Sequence, residues 1–307
     1  MAAGFWRTIR WLVPLAALFY LWRAGLFSVE RLRPAQAIFW ALPAALALII
    51  LNTACFGLRF HCLLRCLGLD SDFRAQWKLH FAGLLAQQVG SEAAFEAMRF
   101  AGVKAQGLPG ADILAAALVD RLLGLLALIA LALTALAFYR PESRPYALAF
   151  VPGAALLILI ALALCRRLAA LPVGNGCLTS LAARLAALLL VFKGRRQRLA
   201  LLLLPAAAGH VLAFLALYFC AVCLEGPSLN PLEAVAGGAV FTASQALPLP
   251  LAGLGAGETA FGAALARLRG TGSLLDFAPI LLLNRLLMLA AGIIGWLWLA
   301  ASSGKNR

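Results

Sequence analysis

The chain has 307 residues, 64% of them hydrophobic and 12% charged, with a formal net charge of +14 and a mean hydropathy of +0.94. A soluble domain carries about 45–50% apolar and about 25% charged residues, so this composition excludes a water-soluble globule and calls for a bilayer as solvent. The basic residues flank hydrophobic runs instead of forming a stripe with interleaved aromatics, which speaks against nucleic acid and fits cytoplasmic loops against anionic headgroups.

In chain order, Arg7 and Arg10 precede an apolar run from Trp11 to Trp22. This resembles a secretory signal, but Trp22-Arg23 stands where a small-residue cleavage site belongs, so an uncleaved first helix is expected. Spans are predicted over roughly 8–26, 35–58, 112–138, 145–165, 199–224 and 277–301, since about 20 apolar residues cross the hydrocarbon. Two further stretches are apolar but interrupted. One, about 79–100, carries Gln87, Gln88, Gly90, Glu92, Glu96 and Arg99; the other, about 232–266, carries Pro248, Pro250, Gly253, Gly255, Gly257 and Glu258. Both read as re-entrant or broken helices, tolerated at membrane depth only where protein or a water-filled cavity surrounds them. The expected fold class is an all-α polytopic integral membrane protein, a single transmembrane domain over 1–307 with about six full spans and two re-entrant or broken helices.

Loop charges set the orientation. The basic loop 166–198 holds Arg166, Arg167, Arg184, Lys193, Arg195, Arg196 and Arg198 and no acid, and 59–78 adds Arg59, Arg65, Arg74 and Lys78. If both broken stretches enter and leave by one face, these loops and both termini are cytoplasmic. The short run Leu178–Phe192 reads as a helix lying on the cytoplasmic surface; a seventh span there would invert the C-terminal half. Cys62-x-x-x-Cys66 and Cys220-x-x-Cys223 lack a second Cys or His pair at zinc spacing, so no metal or cofactor is expected.

The two interruptions echo each other. Glu92 precedes Arg121 by 29 residues and Glu258 precedes Arg285 by 27, and the helices that follow read Leu-Val-Asp120-Arg121-Leu-Leu and Leu-Leu-Asn284-Arg285-Leu-Leu. With the topology above, this is the pattern of an inverted-topology repeat, with units over 59–138 and 225–301. Glu92, Glu96 and Arg99 share one helical face. Asp120 and Arg121 point about 100° apart on a straight helix and each needs another partner. Arg121 is expected to meet Glu92 or Glu96, and Arg285 to meet Glu258, in the interior; simple packing ion pairs are the alternative. The Pro/Gly cluster would start a helix at Glu258, whose N-terminal amides favour an anion, unless the cluster is only an extracytoplasmic loop.

These residues resemble the flippase-like transmembrane family, the membrane region of lysylphosphatidylglycerol synthetases and their free-standing relatives. Glu96-Ala97-Met98-Arg99 corresponds to its acid-x-x-Arg element, Asp120-Arg121 followed by Gly124 to its Asp-Arg helix, Pro248 through Glu258 to its Pro- and Gly-rich segment, and Arg285 with Gly292 and Gly295 to its last helix. The resemblance runs from about residue 40 to the end. It departs at Gly90-Ser91-Glu92, where the family has Pro and a Gly-Gly pair, so a less broken first element is expected. The resemblance implies handling of phospholipid or polyprenyl-linked lipid, in a bacterial cytoplasmic (inner) membrane. No soluble aminoacyl-transfer domain follows the last span, so the chain is not expected to make aminoacyl lipids itself.

Three functions compete. The first is a lipid translocase whose substrate-binding set is Glu92, Glu96, Arg99, Asp120, Arg121, Pro248, Pro250, Gly253, Gly255, Gly257, Glu258, Asn284 and Arg285, the arginines orienting a headgroup phosphate. No Gly-x-x-x-x-Gly-Lys-Ser/Thr occurs, so ATP coupling within the chain is not expected. The second is a non-catalytic membrane partner of a lipid-synthesis enzyme. The third is a membrane-embedded lipid-modifying enzyme, disfavoured because there is no His-Glu-x-x-His, Gly-x-Ser-x-Gly or metal cluster to name catalytic residues.

Overall fold

Long Leu- and Ala-rich runs satisfy every backbone polar group internally when helical, the requirement hydrocarbon imposes. The computed structural model describes residues 33–139, 196–226, 228–245, 253–270 and 276–303, besides Phe19 and Arg167. Its helices are α1 (Ile38–Cys66), α2 (Phe73–Val89), α3 (Glu92–Lys104), α4 (Gly110–Tyr139), α5 (Arg196–Val222), α6 (Pro231–Gln245), α7 (Ala256–Arg269) and α8 (Ala278–Ser303). Helices α1, α4, α5 and α8 are long and apolar enough to cross a membrane, which makes this an integral membrane protein with four candidate spans among the described residues. The expected spans at 8–26 and 145–165, the surface helix at 178–192, most of the 166–198 loop, and Pro248 and Pro250 lie outside those residues.

One boundary needs correction. Residues 59–66, expected in a cytoplasmic loop, are the last turns of α1. The apolar series Phe60, Leu63 and Leu64 continues the buried face past Arg59, so the helix does not stop at the first charge.

Both interrupted stretches are pairs of helices. The first starts at Phe73, earlier than expected, and breaks at Gly90-Ser91. There Gly90 closes α2 through its amide to the Ala86 carbonyl, and the Ser91 carbonyl accepts from Ala94 and Phe95 to open α3. The Phe95 ring fills the space a side chain at Gly83 would need, so α3 folds back along α2. The departure from the family's Gly-Gly pattern therefore leaves the break in place. The second pair, α6 and α7, packs side by side, with Glu233 at the start of α6 ion-paired to Arg269 at the end of α7 at 2.7 Å. That contact requires the two helices to run antiparallel.

The residues group into two compact units. One comprises the chain up to Asn52, Phe81–Met98 and Val211 onward; the other comprises Thr53–His80 and Arg99–His210. In the first, Ala35 N–H donates to the Cys223 carbonyl and Glu225 N–H to the Arg33 carbonyl, both at 2.9 Å, so the start of α1 and the end of α5 lie together. The Trp40 and Phe219 rings meet edge-on there, 5.8 Å apart.

Helix α8 lies directly on α2 in this unit. A Cβ at Gly295 would come within 2.5 Å of the Phe81 carbonyl carbon, and one at Gly292 within 2.5 Å of the Leu85 amide nitrogen. Small residues that let backbones touch are how helices associate in lipid, where the hydrophobic effect no longer drives them together.

Candidate functional site

In the first unit, the α8–α2 register carries polar groups to one level. Gly295 faces Phe81, Gly292 faces Leu85, and the Gln88 amide donates to the Met288 sulfur at 3.9 Å. One turn further along α8, Asn284 donates to the same sulfur at 3.5 Å, which brings it level with the α2–α3 break. At the break, Gln87 Nε2 donates to Glu92 Oε2 at 2.5 Å. Gln87, Gln88 and Glu92 thus share a seam with Asn284, and a thioether is a weak acceptor for two amides. Glu96 is half-buried one turn beyond Glu92 on α3.

Arg285, adjacent to Asn284, ion-pairs through Nε with Glu258 Oε1, and both side chains are buried. This is the partner expected from the sequence. Gly253 and Gly255 precede Glu258 with φ of 65° and 86°, a left-handed region open to glycine at little cost. The turn delivers Glu258 to the third position of α7, where its Oε2 accepts from the Gly255 amide at 2.6 Å. The Gly255 amide is thus held by the helix's own carboxylate, the acid half of a capping box. Gly257 is small for a different reason, since a Cβ would sit 2.9 Å from the Phe241 ring and 3.2 Å from Arg285 Nη2. Both breaks therefore place a carboxylate in the first turn of the helix that follows, Glu92 in α3 and Glu258 in α7.

The second unit holds Arg99, Asp120 and Arg121. Asp120 lies between two arginines, with Arg59 Nε on Oδ1 at 2.5 Å and Arg99 Nη1 on Oδ2 at 3.0 Å. Arg99 is 1% exposed; its guanidinium lies 4.0 Å from the centre of the Phe60 ring and meets His80 Nε2 at 3.3 Å. His80 Nδ1 faces the Gln76 carbonyl at 3.0 Å, so Nδ1 carries the proton and Nε2 offers Arg99 a lone pair. His80 is neutral in that tautomer. Asp120 thus takes a charged contact from each of two buried arginines.

Arg121 is exposed on the face of α4 turned away from Asp120, so it is not the interior cation expected of it. The 100° between neighbours separates the pair, but the buried member is the acid. Asn284 and Arg285, its sequence counterparts, are both buried. Sequence reasoning also missed Arg59, His80 and the Glu233–Arg269 pair. Arg59 was legible in principle, because apolar residues at helical spacing continue beyond it; Arg269 was not, since nothing along the chain ties it to Glu233.

The family described as Lysylphosphatidylglycerol synthase TM region matches residues 8–300. Neither the curated proteins nor the solved structures give a match.

Proposed function

The chain belongs to the lysylphosphatidylglycerol synthase transmembrane-region family, and from that premise we propose that it is a lipid translocase, moving the headgroup of a phospholipid or polyprenyl-linked lipid between leaflets of a bacterial cytoplasmic membrane. The observation that carries this reading is the buried Glu258–Arg285 pair at the tip of a glycine-broken helix, beside the polar seam of Gln87, Gln88, Glu92 and Asn284. Ionised groups and irregular backbone are costly in hydrocarbon, and where they occur together they line polar pathways. A headgroup at the seam would exchange its hydrogen bonds for those now made to a weak sulfur acceptor. Glu258 and Arg285 would part to hold opposite charges on it and re-form after release. The antiparallel pairs α2–α3 and α6–α7 are the parts of the proposed inverted repeat that would rock.

The test is headgroup accessibility in liposomes containing the full chain and tagged lipids, comparing wild type with Glu258→Gln and Arg285→Ala, each checked for folding. Translocation predicts fast exchange in wild type and none in either variant. Equal exchange in all three would remove this site from the mechanism. No exchange by wild type over a panel that includes polyprenyl phosphates would favour the non-catalytic partner.

A further inference from the structure

Two amides at the α2–α8 seam converge on a single sulfur. Gln88 Nε2 reaches Met288 Sδ from α2 at 3.9 Å, and Asn284 Nδ2 reaches it from the preceding turn of α8 at 3.5 Å. A thioether is a weak acceptor, so two good donors share one poor partner. A leucine at 288 would serve them worse still, since it accepts nothing and leaves both donors unmet. What the arrangement lacks is a stronger acceptor on the sulfur itself.

One chemical step supplies it. Hydrogen peroxide transfers an oxygen atom to a methionine thioether and leaves the sulfoxide. The S–O bond forms as the O–O bond breaks; sulfur is oxidised by two electrons, and the second peroxide oxygen leaves as water with both protons. Met288 is half-buried and not sealed in the core. An oxygen added on the side of the sulfur that the amides face comes within ordinary hydrogen-bond reach, about 2.7–3.2 Å. Their nitrogens already stand at 3.5 and 3.9 Å from the sulfur. A buried sulfoxide is ordinarily disruptive because it is polar; here two donors are in place to receive it.

We propose that Met288 is an oxidation site, whose sulfoxide is held by Gln88 and Asn284 and ties α8 to α2. The site is defined by the thioether and its donors, whether or not the chain translocates lipid. Its consequence for transport rests on the function proposed above: the sulfoxide occupies two amides that a headgroup at the seam would use, so the oxidised chain exchanges lipid more slowly. Reduction of the sulfoxide by a methionine sulfoxide reductase restores the thioether and the exchange.

The experiment treats the purified full chain in nonionic detergent with hydrogen peroxide and follows peptide mass and thermal melting on the same samples. All samples carry Met98→Leu, a volume-conserving change, so that Met288 is the one methionine left besides Met1. Met288→Leu, which keeps the cysteines, is treated in parallel and its shift subtracted. Met288 should gain one oxygen, and the oxidised chain should melt higher than the reduced one. Gln88→Leu removes the donor on α2 and should reverse the sign, so that oxidation lowers its melting temperature. In liposomes, oxidation should slow headgroup exchange about tenfold, the loss expected when two neutral hydrogen bonds of modest net worth are withdrawn. Mass and melting decide the site even in a chain that moves no lipid, and the slowing of exchange decides its consequence. Met288 left unmodified under conditions that oxidise free methionine would overturn the proposal. So would oxidation that lowers the melting temperature as much with Gln88 present as with leucine in its place.

Discussion

The two buried charge clusters use the same residue types and are built in opposite ways. In Arg59–Asp120–Arg99 the acid projects from the middle of a continuous helix, and cations from α1 and α3 close on it over the Phe56 and Phe60 rings. In Glu258–Arg285 the acid sits in the first turn of α7, behind two left-handed glycines, and the single cation is on the continuous helix. Asp120 cannot change partners unless whole helices move. Glu258 Oε2 is held by the Gly255 amide at the glycine turn, so a change at that turn reaches the pair directly. The number of cations on the acid differs as well, two on Asp120 and one on Glu258.

The largest expected effect breaks the cluster on the continuous helix. Asp120→Ala leaves two guanidinium groups buried without their acid and should cost about 3–5 kcal/mol, read as a large loss of folded protein in thermal melts. If the variant melts like wild type, Asp120 does not hold these helices together. Glu258→Gln separates fold from function at the other site. Glutamine still serves the third position of a capping box, so about 1–3 kcal/mol of stability should be lost with the charged hydrogen bond while headgroup exchange disappears. Gly255→Ala sharpens the contrast at the turn, because a side chain at this positive-φ position, outside the left-handed helical well, costs about 1–3 kcal/mol; exchange should slow more than melting falls. The smallest effect is at Arg121, where Arg121→Gln removes an exposed charge and should change stability by no more than about 0.5 kcal/mol. A loss as large as that of Asp120→Ala would mean the outward assignment is mistaken.

Some of this was readable from the chain. The Glu258–Arg285 pair followed from cost alone, since a carboxylate beside a glycine-broken run and an arginine in an apolar helix both need partners. The break near Gly90 was equally visible, although Ser91 opens α3 without the family's usual Pro and Gly-Gly. The inward member of the Asp120–Arg121 pair was read wrongly, and no partner for Asp120 was named. Arg121 was its sequence neighbour and the repeat pattern pointed to it as a buried cation, yet Arg59 and Arg99, 61 and 21 residues away, occupy that place.

What the sequence determined by itself was the solvent, the helical class, the four spans seen here and the two interruptions. Those properties sum along the chain: each apolar residue adds to the same hydropathy, and each Pro, Gly or charge subtracts locally. Tertiary structure alone decided which charge of an adjacent pair turned inward, which arginine reached Asp120, and that Arg269 closed on Glu233. Each helical step rotates a side chain by about 100°, so the choice between neighbours rests on which helix packs against that face, and a single stretch of sequence does not contain it.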